Sequence, residues 1–185
     1  TALDLLRRHI DQDNLVKHCL ASEAIMRSLA QRFGEDPDRW GLMGLLHDLD
    51  FEETKDAPDR HGDRTAEILR AEGVPDDVIA AIREHNAEGL GIVRESRAGI
   101  ALSCAETVTG LIVATALVNP DRSLAAVKPS SVRKRMKKKD FARSVSRTDR
   151  CLICSFSPGD PDKGEGRVSL SFGWRDDDAA QPACV

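Results

Sequence analysis

Residues 45–50 read LLHDLD and close the apolar segment 40–46, so that His47 and Asp48 stand side by side where a buried helix should end. An imidazole and a carboxylate are both costly to bury, and a shared cation would satisfy both. Taken alone, the pair also suits a helix C-terminus whose polar residues turn out to solvent. The decision depends on whether ligand-type residues occupy other helix faces along the chain.

On the N-terminal side, Asp36 and Pro37 supply an N-cap residue and a first-turn proline for the helix that carries Trp40, Leu42, Met43, Leu45 and Leu46. Such a helix belongs inside. Upstream, residues 14–33 place Leu15, Cys19, Ile25, Met26 and Leu29 at helical spacing, with Gly34 as the stop. His18 lies on that stripe, where it reads either as a ligand or as a core histidine bonded to a carbonyl. Residues 3–10 form a short amphipathic helix with a surface histidine, His9. Asp11 with Asp13 or Asn14 then offers a turn and an N-cap.

On the C-terminal side, residues 50–59 are acidic and contain Pro58, which predicts a solvent-facing loop without a packed element that roofs a site. His61 and Gly62 lead into a helix over residues 65–72, ended by Gly73. Asp76 and Asp77 favour the start of the next helix, on which Val78, Ile79 and Ile82 mark the inner face. His85 follows Ile82 by three and shares that face. His61 also suits a helix entry, and His85 a cationic C-terminal cap. Residues 86–91 read as a loop.

Residues 99–118 are the most apolar run, with Glu106 as the only acid. The length approaches that of a membrane span, but a central carboxylate is costly in lipid and the flanks read as a globular domain, which favours a core helix with one inward acid. That acid needs a partner, and a cation would keep it ionised. Residues 130–144 predict a basic helix in which Arg133, Lys134, Arg135, Lys137, Lys138, Lys139 and Arg143 surround Val132, Met136 and Phe141: a solvated face or a phosphate-steering one. From Cys151 the pattern becomes irregular, with one strand-like stretch at 168–172. Cys151 and Cys154 form a single CxxC with no second pair, which argues against a zinc ribbon.

A length of 185 residues suits one helical domain over 1–150 and an irregular, disordered tail over 151–185. A net charge of -4 argues against a general nucleic-acid binder. Five cysteines without regular spacing, and no signal peptide, point to reduced thiols in a cytoplasmic protein.

Collected, His18, His47, Asp48, His61, His85 and Glu106 each stand on or beside a helix of their own, apart from the 47–48 pair, and together they predict a metal centre inside an all-α bundle. Their order, with the wording VKHCLASEAIMRSLA, WGLMGLLHDLDFEET, RHGDRTAEILRAEGVPDDVIAAIREHN and CAETVTGLIVATALVNP, resembles the HD superfamily of metal-dependent phosphohydrolases over residues 3–147. The resemblance implies a single helical bundle in which His18, His47, Asp48 and Glu106 hold a first metal. It further implies that His61 and His85 hold a second, with Asp48 bridging. Two departures stand out: the last ligand of the family is normally Asp, where this chain has Glu106, and the tail replaces the amphipathic helix with which relatives continue.

Mixed nitrogen and oxygen ligands suit Mn, Fe, Co, Ni or Zn, and Mg if few histidines bind. Such a centre lowers the pKa of its water and polarises a phosphoryl oxygen, which predicts phosphoester hydrolysis with Asp48 orienting the water. Lys55, Arg60, Arg64 and the 133–139 cluster are the candidates for phosphate contact. The expected substrate is a small-molecule phosphoester, by family analogy a nucleotide, with no membrane partner. Two rivals stand beside this reading: a nucleotide-binding or regulatory module that keeps the scaffold without turnover, and a nucleic-acid-contacting protein that uses the basic helix.

Overall fold

The computed structural model describes residues 1–138, which are all-α, with no strand among them. Helix α1 (Ala2–His9) opens with a reciprocal cap between Thr1 and Asp4 and buries Leu5 and Leu6. Helix α2 (Asp13–Phe33) ends at Gly34, whose φ of 69° lets its N–H turn back to the carbonyls of Ala30 and Gln31. The start of α2 differs from expectation. None of Asp11, Asp13 and Asn14 caps it; Gln12 holds the N-cap position without a side-chain bond. Glu52, 40 residues on, accepts the Gln12 amide at 2.9 Å and the Asp11 amide at 3.4 Å instead.

Helix α3 (Pro37–Leu46) is capped by Asp36, which accepts from the amides of Asp38 and Arg39, and it buries Trp40, Met43, Leu45 and Leu46. Against α2 it packs backbone to backbone. A Cβ on Gly44 would lie 2.7 Å from the Ser22 carbonyl oxygen and 2.8 Å from Glu23 Cα, so only glycine permits this approach. The contact sets the end of α3, and with it His47, against the middle of α2.

The acidic 50–59 stretch is not the unpacked loop its composition predicts. It contains a short helix, α4 (Phe51–Thr54), with Asp50 and Thr54 buried at 1% and 5% exposure. The reason is hydrogen bonding: Thr54 Oγ1 donates to the Asp50 carbonyl, and Asp50 binds the start of the next helix. Helix α5 (Asp63–Ala71) begins earlier than expected, after Gly62 at φ 93°. Helix α6 (Asp76–Arg83) follows, then a 3₁₀ turn (Glu84–Asn86) and α7 (Ala87–Leu90) where a loop was expected.

Helix α8 (Arg97–Leu117), capped by Ser96, is long and apolar enough to cross a membrane by length and composition, but half of its most apolar window is buried in the fold. It packs against α2, α3 and α6 as a core helix. Leu6, Leu46, Leu69, Ile82 and Leu102, at 0–1% exposure, sit in one hydrophobic cluster spanning α1, α2, α3, α5, α6 and α8. Each contributes about 1.5–3 kcal/mol relative to exposure. Helix α9 (Pro129–Met136) lies on α8 and buries Val132. The rest of the expected basic helix, the CxxC and the 151–185 tail lie outside the described residues.

Candidate metal centre

Four histidines and one aspartate converge where the inner ends of these elements meet. His18 comes from the second turn of α2, His47 from the C-cap of α3, Asp48 from the residue after it, His61 from the entry to α5, and His85 from the 3₁₀ turn after α6. Asp48 is central and 5% exposed. Its Oδ2 stands 3.5 Å from His18 Nε2 and 3.4 Å from His47 Nε2. Its Oδ1 stands 3.3 Å from His61 Nε2 and 3.7 Å from His85 Nε2. The result is two triads that share Asp48, His18–His47–Asp48 and Asp48–His61–His85, each with its ligand atoms within 4.8 Å of one another.

The far nitrogen of every ring is committed to an oxygen. His47 Nδ1–H donates to the Gly44 carbonyl at 2.9 Å, and His85 Nδ1–H to the Ile82 carbonyl. His61 Nδ1–H donates to Asp50 Oδ1 at 2.7 Å. His18 Nδ1–H donates to Thr109 Oγ1 at 2.8 Å, and the threonine hydroxyl in turn donates to the Glu106 carbonyl at 2.6 Å. Carbonyls only accept, so these bonds fix the Nδ1–H tautomer and leave each neutral ring with a lone pair on Nε2. Those Nε2 atoms meet in pairs. The Nε2 atoms of His18 and His47 are 3.2 Å apart, and those of His61 and His85 are 2.9 Å apart. Between neutral rings facing lone pairs repel, whereas a cation between them and a carboxylate is the arrangement of a metal site with its outer partners in place. The donor set therefore fits one or two divalent ions.

Ionisation in the metal-free protein follows the same geometry. Burial, reinforced by the neighbouring His47, pushes His18 down to about 4. Burial with His47 and His61 nearby pushes His85 down to about 3. Burial also opposes charge on His61, but the bonds to Asp48 and Asp50 outweigh it and hold this ring up to about 10. Asp48, although burial alone would raise it, is held well below the usual carboxylate range by His47, His61 and His85. Cys19, next to His18, has its thiol pushed far up by burial and by the charge of Asp48, which leaves it an inert core group.

Glu106 lies beside the first triad. Its Oε2 stands 3.8 Å from His47 Nε2, and neither triad includes it. Lys55 and Arg60 lie exposed on the connection from α4 to α5. Arg64 pairs with Glu53 and Glu67. His9 is exposed, as expected. Two participants went unrecognised in the sequence. Asp50 has a fully buried carboxylate that binds His61 through Oδ1 and the amides of Gly62 and Thr65 through Oδ2, at 2.8 and 2.9 Å. Its signal was an acid two residues past His47–Asp48 in an apolar setting. Thr109, three residues after Glu106, is the outer partner of His18 and carried no signal of its own.

No solved structure matches the chain. A family model does: the HD domain model matches residues 15–152, a span that holds every member of both triads. With that match over well more than half of its length, the chain belongs to the HD-domain family, a superfamily of metal-dependent phosphohydrolases.

Proposed function

We propose that the protein hydrolyses a small-molecule phosphoester, with nucleotides as the substrate class, at a centre held by His18, His47, Asp48, His61 and His85. One observation carries the reading: four Nε2 atoms, each turned inward by an Nδ1 bond, converge on the two oxygens of one buried aspartate. Mn, Fe, Co, Ni and Zn suit this nitrogen-rich set, and Mg suits it less well. A bound ion supplies a water of lowered pKa and polarises the phosphoryl oxygen. Asp48 orients the attacking water; its depressed pKa suits it to direct and charge the site more than to take up a proton. Lys55 and Arg60, exposed on the connection from α4 to α5, are the proposed phosphate contacts. Arg64 would have to leave its two glutamates to join them.

A second reading, a module that binds nucleotide without turnover, is favoured by Glu106, which stands outside both triads. The test is metal analysis of purified protein followed by a phosphoester panel, nucleoside monophosphates included, with Mn and Co. Hydrolysis that disappears together with bound metal in Asp48→Ala supports the enzyme. Full metal occupancy with no hydrolysis supports the module, and unchanged metal content in Asp48→Ala removes the centre altogether.

A further inference from the structure

The two triads are built differently. The first sits on α2 and α3, which pack backbone to backbone, whereas His61 and His85 come from two short connections that share no helix. Asn86 joins those connections. It follows His85 directly, and its Nδ2 donates to the carbonyls of Pro58 at 2.8 Å and His61 at 2.9 Å. A primary amide is the group this task needs, since one nitrogen carries two protons for two carbonyls. The amide is also confined: a Cβ on Gly89 would stand 2.5 Å from Asn86 Nδ2, 2.6 Å from its Oδ1 and 2.7 Å from the Pro58 oxygen. From the other side Arg94, 8% exposed, donates to the carbonyls of Glu84 at 2.7 Å and His85 at 2.9 Å.

We propose that Asn86 is a positioning residue that sets the separation of His61 and His85, and so decides whether the second triad holds a cation, with Gly89 as the space its amide requires. The inference rests on the two-ion reading of the centre. Asp at 86 offers no proton to either carbonyl and places a negative charge against both. Alanine at 89 moves the amide without touching its chemistry.

The experiment uses the full chain, stripped with chelator, as wild type, Asn86→Asp and Gly89→Ala. Co(II) bound per chain is measured by equilibrium dialysis, and the imidazole nitrogen signals of the metal-free proteins by NMR. The expected result is that both variants bind the weaker ion roughly 10–100-fold less tightly and keep the other. Their His61 and His85 signals move while those of His18 and His47 stay. Unchanged affinity for both ions, or four imidazoles that move alike, overturns the proposal. If the wild type takes fewer than two ions, the two-ion reading fails by itself. The ring signals then decide the positioning role: unmoved His61 and His85 signals overturn it, and selective movement upholds it. Gly89→Ala covers the case in which Asn86→Asp does not fold.

Discussion

His18 and His47 face each other through Nε2 atoms 3.2 Å apart, each with its Nδ1–H already donated, to Thr109 Oγ1 and the Gly44 carbonyl respectively. Two lone pairs in that position destabilise the metal-free fold, and an ion bound only by the native state adds stability by mass action. At a free concentration about 100 times its Kd the gain is about 2.7 kcal/mol. For a chain of this size that is a rise in Tm of roughly 5–10 °C. Thermal melts with and without Mn, Co or Zn measure it. No shift with any of them, or an equal shift in His47→Ala, contradicts the site.

Asp50 acts on the centre through His61. Asp50→Asn removes the charge that holds the ring and turns one of two acceptor oxygens into a donor, facing either His61 Nδ1–H or the amides of Gly62 and Thr65. Metal affinity is expected to fall about 10–100-fold. Stability is expected to fall by about 1–3 kcal/mol through the unsatisfied buried donors. Metal titration and urea unfolding read the two effects separately, and an unchanged affinity would remove Asp50 from the site.

Metal binding should release protons. At pH 7.5 His61, held up to about 10 by Asp48 and Asp50 against the effect of burial, carries a second proton on Nε2, whereas His18 and His85, pushed down by burial, carry none there. A ligand must be deprotonated, so about one proton should leave His61 on binding. Titration calorimetry in buffers of different ionisation enthalpy counts it. Zero release at pH 7.5 would contradict the assignment of His61.

The metal-free protein should have a stability maximum near neutral pH. His18 and His85 titrate near 4 and 3 in the fold, below the ordinary 6.5, so the unfolded chain binds more protons as pH falls through that window and stability is lost toward acid. His61 has the opposite sign. Its stabilisation is complete below 6.5 and is lost as pH rises toward about 10. Urea midpoints between pH 4 and 10 in chelator test both limbs, and a monotonic profile would contradict them.

Gly44 tests the link between packing and chemistry. A methyl group there forces α3 off the Ser22 carbonyl and the Glu23 backbone. Overpacking of this kind costs about 1–3 kcal/mol. It also displaces His47, so Gly44→Ala is expected to weaken metal binding along with stability. Loss of stability with intact affinity would separate the helix contact from the site.

Both triads were legible as residues because helical periodicity alone puts His18, His47 and His85 on inward positions, and His61 at a helix entry. Pairing them was not. That Oδ2 of Asp48 serves one pair and Oδ1 the other depends on where α3 and the 84–86 turn meet, which no local pattern encodes. Composition misread the stretch after Asp48: an acidic segment with a proline looks solvated, yet Asp50 and Glu52 are turned toward backbone amides of α5 and of the α1–α2 turn. Hydrogen-bond demand from distant elements overrode local polarity. Glu106 was legible as an inward acid, but its 3.8 Å separation from His47 is a tertiary distance.

Because one aspartate divides its two oxygens between the two histidine pairs, the halves of the centre draw on the same negative charge. An ion that occupies one half neutralises part of what the other half offers, so loading should be stepwise, with the second association weaker than the first. Linkage makes the effect mutual: whatever the first ion takes from the affinity of the second, the second takes from the first. The centre then passes through a half-filled state, and the stronger the coupling, the wider the range of free metal concentration over which the protein holds it.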